Sequence, residues 1–278
     1  MNELYTVVVT GSNKGIGKAA ATELARKGYR IVLACRNMVE AEKTRIELIG
    51  LTNNQNITTM HLDLASAKSI NHFVEQYTNE IGYINALVNN AGISTSKNAL
   101  TEDGYEINIG TNYIGTYYLT TKMLPLFKNG EDNRIVNMTS NIHHIGWFNI
   151  AKLNSYRWFR AYAVSKYMIL LYTKWLSDSK NGHGIKVNAV HPGIVRTSIM
   201  YTGKWYDIII KLLLKPYFFD VTEGARPIIS LVSDKDTGNG CYYLKGKKKE
   251  IRMNETRKRK TDQLMKFSLG VCNDFANK

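Results

Sequence analysis

Residues 5–10 (YTVVVT) are a β-branched run that stops at Gly11, and only five residues later the apolar spacing has changed from that of a strand to that of a helix. The junction reads Thr10-Gly11-Ser12-Asn13-Lys14-Gly15-Ile16-Gly17. Its glycines permit a tight turn and let backbone N–H groups approach a pyrophosphate at a helix N-terminus. Ala19, Ala20, Leu24 and Ala25 recur at helical spacing over 15–27, and Gly28 stops the helix. The pattern GxxxGxG differs from the common GxGxxG fingerprint, so an ordinary glycine turn is the competing reading. The strand–turn–helix setting weighs against it.

The alternation continues. Strands are predicted at 30–35, 57–62, 84–89, 134–139 and 185–190, with helices at 39–48, 69–81, 108–127 and 161–177 between them. Pro125 is placed in the last turn of the long helix. Strands and helices in this order predict an α/β fold, a Rossmann-like doubly wound parallel sheet with right-handed crossovers. No linker or repeat divides residues 1–278, so a single domain is expected. Two aromatic-rich segments, 141–160 and 197–223, break the rhythm after strand carboxyl ends, where open α/β sheets bind ligands. They are the candidate substrate loop and lid. Within the second, Trp205, Ile208, Ile209, Leu212, Leu213 and Phe219 fit a lid helix, an interfacial helix or a further core helix.

Three cysteines, Cys35, Cys241 and Cys272, lack CxxC spacing, which argues for a reducing, cytoplasmic compartment. The sequence enters its first strand at Tyr5, so neither a signal peptide nor an N-terminal membrane span is expected, and residues 205–219 are too short and too charged to span a bilayer. Net charge is +14, and residues 245–262 hold nine Lys/Arg against three carboxylates. This run, within the basic C-terminal segment 245–278, reads first as a solvated, partly flexible tail. Peripheral contact with an anionic membrane is the second reading and nucleic acid the third. Without interleaved aromatics, nucleic-acid stacking is not indicated.

A dinucleotide site usually offers a carboxylate to the ribose after the second strand. Here Ala34-Cys35-Arg36-Asn37 offers Arg36 instead, and Lys14 adds a cation in the glycine loop. Two cations suit a 2′-phosphate, so NADP(H) is favoured over NAD(H). Tyr162 and Lys166 stand at i, i+4 and share a helix face. A phenol near an ammonium and an oxidised nicotinamide ring can ionise and exchange a proton with a substrate oxygen. Such a pair is common on any helix. It gains meaning from Thr139-Ser140 at the preceding strand end, where the Ser140 hydroxyl can polarise that oxygen. Adjacent His143 and His144 diverge and have no partner at ligand spacing, so no metal site is expected.

These residues, with Asp63, Asn89-Asn90-Ala91-Gly92, Asn112 and Pro192-Gly193-Ile194-Val195-Arg196-Thr197, occur in an order that resembles the classical short-chain dehydrogenase/reductase family over residues 5 to about 200. The resemblance implies a catalytic tetrad of Asn112, Ser140, Tyr162 and Lys166, with Asn112 distorting its helix and holding a water that relays protons to Lys166. It implies adenine contacts from Asp63-Leu64, an adenosine-side lining of Asn90-Ala91-Gly92, and a carboxamide contact from Thr197 and Ile194 after the Pro192-Gly193 turn. Lys166 would also bind the nicotinamide ribose. The 22 positions from Ser140 to Tyr162 and the run Leu33-Ala34-Cys35-Arg36 are similar to the retinol dehydrogenase-like branch. That branch acts on apolar alcohols, aldehydes and ketones, usually with NADP(H), and its members often carry an N-terminal membrane anchor. The family is often dimeric or tetrameric, which implies a homo-oligomer.

The expectation is therefore an NADP(H)-dependent oxidoreductase with Tyr162 as acid/base and an apolar small-molecule substrate. A cofactor-binding regulator without turnover is the alternative, since fold alone does not fix function. The complete tetrad argues against it.

Overall fold

In the computed structural model, residues 3–128, 132–179, 184–193 and 220–276 are described. The strands β1 (Thr6–Thr10), β2 (Arg30–Cys35), β3 (Ile57–His61), β4 (Ala86–Asn89), β5 (Asn133–Met138) and β6 (Ile185–His191) follow the expected alternation. They are joined by β7 (Cys241–Leu244) and β8 (Lys247–Glu250) in one sheet of order β3-β2-β1-β4-β5-β6-β7-β8. All pairings are parallel except β7 with β8. Successive valines of β1 point to opposite faces: Val8 joins one core cluster, Val7 and Val9 the other. A strand buried on both faces needs this continuous apolar run.

One face is covered by α1 (Gly15–Arg26), α2 (Met38–Thr52) and α7 (Val221–Ser233). The other is covered by α3 (Ala67–Glu80), α5 (Thr116–Met123), α6 (Trp158–Asp178) and α8 (Glu255–Ala276). Helix α2 runs longer than its apolar pattern indicated because it is closed at both ends. The Asn37 side chain accepts from the Glu40 N–H at 3.1 Å, and Asn53 takes a left-handed C-cap at φ 57°.

The helix expected over 108–127 is not continuous. It begins as α4 (Ile107–Ile109), widens into a π-helical stretch at Gly110–Gly115, continues as α5 and ends in a 3₁₀ turn at Leu124–Leu126 that contains Pro125. Such widenings are frequent at functional sites.

The tail reading of residues 245–262 is corrected by the structure. Lys245 and Gly246, with φ of 49° and 77°, turn β7 into β8, and α8 follows. Beneath its charges α8 carries Leu264, Met265, Val271 and Phe275, all buried against the core. Each stabilises the helix by about 1.5–3 kcal/mol relative to exposure. Tyr113 and Ser268 hydroxyls, 2.7 Å apart, fasten α8 to the π-helical stretch. No helix among the described residues is long and apolar enough to cross a membrane.

Candidate active site

The glycine loop sits at the carboxyl end of β1. Gly11 and Gly15 have φ of 64° and 57°, a region costly for other residues. A Cβ on Gly17 would strike the Asn90 side-chain amide and come within 2.7 Å of the Gly11 carbonyl oxygen. Asn90 is held there because its Nδ2 donates to the Thr10 and Gly11 carbonyls at 2.8 and 3.1 Å. The Ala91 N–H donates to Thr10 Oγ1 at 2.9 Å. Asn90 and Ala91 therefore brace the loop from the next strand. The Asn13 carbonyl accepts from Thr44 Oγ1 at 3.2 Å, while buried Ser12 turns its hydroxyl inward, 3.4 Å from Cys35 Sγ. Burial pushes the Cys35 thiol pKa up, which keeps it neutral. Exposed Lys14 stands at the N-cap of α1 and caps it with no side-chain bond, and Ile16 and Gly17 are buried in the first turn. A helix start with no side-chain cap, behind a turn opened by Gly11 and Gly15, fits a dinucleotide pyrophosphate.

At the adjoining strand ends, Arg36 is 71% exposed, with Nη1 3.8 Å from Asp63 Oδ2. Asp63 is fixed by its own turn, its Oδ1 accepting from the Ala65 N–H at 2.9 Å. Leu64 is buried, and its carbonyl occupies the space a side chain on Gly115 would need. Arg36 and Asp63 thus stand together on the β2–β3 side, away from Tyr162 in the sheet order.

Asn112 lies in the π-helical stretch. Its Oδ1 accepts from the Ile93 N–H at 2.7 Å, and its Nδ2 donates to the Ile93 carbonyl at 2.8 Å and to Ser165 Oγ at 3.1 Å. The side chain is committed to protein partners and ties the segment after β4 to α6. A Cβ on Gly92 would lie 3.2 Å from both Asn112 Oδ1 and Lys166 Nζ. Absence of a side chain there lets the two residues share a corner.

Ser140 closes β5, and Tyr162 and Lys166 stand on the first turns of α6. Lys166 is buried; its Nζ donates to the Met138 carbonyl at 3.1 Å and lies 5.8 Å from the Tyr162 ring centroid. Burial pulls the Lys166 pKa down to about 8. Burial also pushes the Tyr162 phenol up, and its side-chain hydrogen bond with Ser140 opposes the rise. In the protein by itself the phenol therefore keeps its proton more firmly than a free tyrosine. Desolvation, and not the Lys166 charge expected to lower it, sets the direction of this pKa.

The 141–160 loop forms 3₁₀ turns at Asn141–Ile145 and Ile150–Ser155. Tyr242 Oη donates to Asn141 Oδ1 at 2.7 Å, Asn154 Oδ1 accepts from the Glu106 N–H at 2.9 Å, and Lys260 Nζ donates to the Phe148 carbonyl at 2.9 Å. The His143 and His144 rings do not diverge as adjacent side chains were expected to; their centroids are 4.2 Å apart. His143 is buried, and its Nδ1 donates to the Ser140 carbonyl at 2.6 Å. Among the described residues no cluster of three His, Cys, Asp or Glu could hold a metal ion.

Pro192 and Gly193 follow β6, with Gly193 at φ 96°. Ile194, Thr197 and the proposed lid residues 205–219 lie outside the described residues. Sequence reasoning missed the bracing role of the Asn90 amide and the His143 contact to Ser140. Both depend on partners that only the fold brings close.

The family model described as short chain dehydrogenase matches residues 5–204. Human retinol dehydrogenase 13 is 40% identical over 219 residues, covering 77% of this chain and 66% of that one. The match thus spans just under two thirds of the human relative. Mouse retinol dehydrogenase 12 is 32% identical over 267 residues, 94% of this chain and 84% of its own. Among solved structures, an uncharacterized protein from Mycobacterium Paratuberculosis superposes with a TM-score of 0.76 at 27% identity, covering 97% of this chain and 93% of that chain. Levodione reductase, at 20% identity and a TM-score of 0.72 over 86% of this chain and 95% of that chain, shares the fold. The chain belongs to the short chain dehydrogenase family, on its retinol dehydrogenase-like branch.

Proposed function

We propose that the chain is an NADP(H)-dependent oxidoreductase that interconverts an apolar alcohol and its aldehyde or ketone, of retinoid, steroid or similar lipid-like character. The observation that carries this reading is the meeting of the Ser140 hydroxyl with the Tyr162 phenol beside the buried Lys166 amine, at the end of the sheet where the braced glycine loop also stands. The bound nicotinamide cofactor supplies or accepts the hydride. Tyr162 holds a proton for the substrate oxygen in reduction and removes one in oxidation. Ser140 orients that oxygen through its hydroxyl. Lys166, its pKa pulled down to about 8 by burial, can pass a proton at Nζ. Asn112 positions Gly92-Ile93 and, through Ser165, the helix that carries Tyr162 and Lys166.

The preference for NADP(H) rests on Arg36 and Lys14, both exposed cations, and on the absence of a carboxylate directly after β2. Relatives named retinol dehydrogenase support an apolar alcohol or carbonyl substrate, as do Trp147, Phe148 and Tyr156 on the 141–160 loop. Free cysteines fit a cytoplasmic setting, and family habit supports a homo-oligomer.

The test is NADPH consumption against a panel of apolar aldehydes and ketones, with Tyr162→Phe as control. Turnover should fall by roughly 10²–10⁴-fold in the variant with NADPH affinity retained. Near wild-type turnover would remove Tyr162 from the mechanism. Tight NADPH binding with no turnover across the panel would favour a non-catalytic regulator.

A further inference from the structure

Eight large apolar side chains stand exposed among the described residues, and three of them crowd the 141–160 loop: Ile145 at 56%, Trp147 at 46% and Phe159 at 49%. The same loop carries Lys152, Arg157 and Arg160 and no aspartate or glutamate. It is held by Tyr242, Glu106 and Lys260, so these side chains are presented on a fastened surface. Between Trp147 and Arg160 lies an open depression of about 530 Å³ lined by Trp147, Phe148, Lys152, Tyr156, Arg160 and Lys260.

The cations in it are arranged on aromatic and backbone partners. The Arg160 guanidinium lies 5.0 Å over the Tyr156 ring, and its Nη2 donates to the Trp147 carbonyl at 3.2 Å. Lys260 Nζ lies 5.4 Å from the Phe148 ring centroid. Among the described residues, none of Lys152, Arg157, Arg160 and Lys260 pairs with a carboxylate. Lys152, Arg160 and Lys260 line one depression with half-exposed Trp147, and Ile145, Arg157 and Phe159 are exposed on the same loop; a partner that is anionic and apolar at once suits them.

We propose that this loop and the start of α8 form a docking face for an anionic phospholipid bilayer. Lys152, Arg157, Arg160 and Lys260 meet the lipid phosphates, and Ile145, Trp147 and Phe159 enter the interfacial layer. A soluble phosphate would satisfy the cations and leave the three apolar side chains in water. A single-stranded nucleic acid stacks on flat aromatic faces, but Ile145 offers none and the Trp147 ring already packs on Tyr167 at 5.8 Å. Ser140 and Tyr162 bracket the loop in sequence, so on the proposed function the same loop serves docking and the passage of an apolar substrate from the lipid side. Docking itself does not depend on turnover, so its test stands apart from that of the proposed reaction.

The experiment is co-sedimentation of the full chain with phosphatidylcholine vesicles containing or lacking 30% phosphatidylserine (about a third anionic lipid, as a cytoplasmic leaflet offers). Wild type is expected on the anionic vesicles, with partition falling as salt rises. Lys152→Glu with Arg160→Glu should weaken partition roughly tenfold or more, and inorganic phosphate should not displace the protein. Trp147→Ala with Phe159→Ala should leave binding that salt removes more easily. Thermal melts establish that each variant is folded, and both charge reversals lie at exposed positions. Equal partition onto both vesicle types would overturn the proposal, as would unchanged partition of the charge-reversed variant. So would loss of binding only when Lys247, Lys248 and Lys249 of β8 are reversed, or displacement from vesicles by a single-stranded RNA.

Discussion

Lys166 Nζ donates a hydrogen bond to the Met138 carbonyl at 3.1 Å, so the amine of α6 is tied to the end of β5 just before Ser140. The helical spacing that pairs Lys166 with Tyr162 is thus only half of its placement. Burial holds its pKa near 8, against an ordinary 10.5. That depression, at about 1.4 kcal/mol per unit, means a charged Lys166 costs the fold roughly 3 kcal/mol near neutral pH. The cost is full below about pH 8 and is relieved as pH rises toward 10.5, because the unfolded chain binds the extra proton in that window. Lys166→Met keeps the length and removes the charge, while the Met138 carbonyl loses a bond worth about 1 kcal/mol. The variant should be more stable at pH 7 by on the order of 1–2 kcal/mol and should lose most of its turnover. Denaturant unfolding and NADPH kinetics read both; a lower midpoint would show that the amine is not a buried cost.

In the proposed NADP(H) site Arg36 is assigned the 2′-phosphate; it is exposed and approaches Asp63 only to 3.8 Å. So loose an exposed pair contributes little to stability, which leaves the guanidinium available to a ligand. Arg36→Asp should lower the ratio of kcat/KM for NADPH over NADH by roughly 100-fold, through loss of a charge-assisted pair and gain of repulsion. Thermal stability should move by less than about 0.5 kcal/mol, as for most surface changes. An unchanged cofactor ratio would leave Lys14 as the reader.

Gly17 and Asn90 occupy one space, and this makes their substitutions interdependent. Gly17→Ala must displace the Asn90 amide, breaking its bonds to Thr10 and Gly11. The expected cost is about 1–3 kcal/mol of stability, together with weaker NADP(H) binding. Asn90→Ala loses the same bonds and removes the amide from the methyl's path, while the Gly11 carbonyl oxygen stays 2.7 Å from it. In a double-mutant cycle the second substitution should therefore cost less than it does alone, by the share due to the amide. Additive effects would mean that the two side chains do not compete.

How much of this could be read from residue order depends on how local each cause is. The glycine loop, the first six strands and the Tyr162/Lys166 pair are set by neighbours within a few positions, and the structure places them close to where the patterns put them. The distortion at Asn112 was expected through the family resemblance and not from residue order, because Asn112 is drawn to Ile93, 19 residues away, and Gly115 yields to the Leu64 carbonyl. The elements after residue 240 were missed for another reason. Strand β7 has only four residues, and the apolar stripe of α8 is diluted by the lysines and arginines that led residues 245–262 to be read as a tail. That Ser140 works with Tyr162 was expected from its place at a strand end and from the family resemblance, although 141–160 lies between them in sequence.

His143 is the residue through which acid should unsettle the site. Burial holds its pKa near 4, and the charges of His144, Arg257 and His191 push in the same direction, while its bond to the Ser140 carbonyl pushes back. The unfolded chain, with an ordinary histidine near 6.5, binds more protons between pH 4 and pH 6.5. Stability is therefore lost as pH falls through that window, by up to roughly 3 kcal/mol from this residue. His191, also held near pH 4 by burial and by Lys245 and Lys166, adds to the same slope. His143→Asn keeps a donor for the Ser140 carbonyl and removes the titration. Its melting temperature should fall less steeply than that of wild type from pH 6.5 to 4, with little difference above pH 7. Parallel curves across that range would show that His143 is not kept neutral by the fold. If turnover of the variant also falls while NADPH affinity holds, the bond to the Ser140 carbonyl positions the hydroxyl that faces Tyr162.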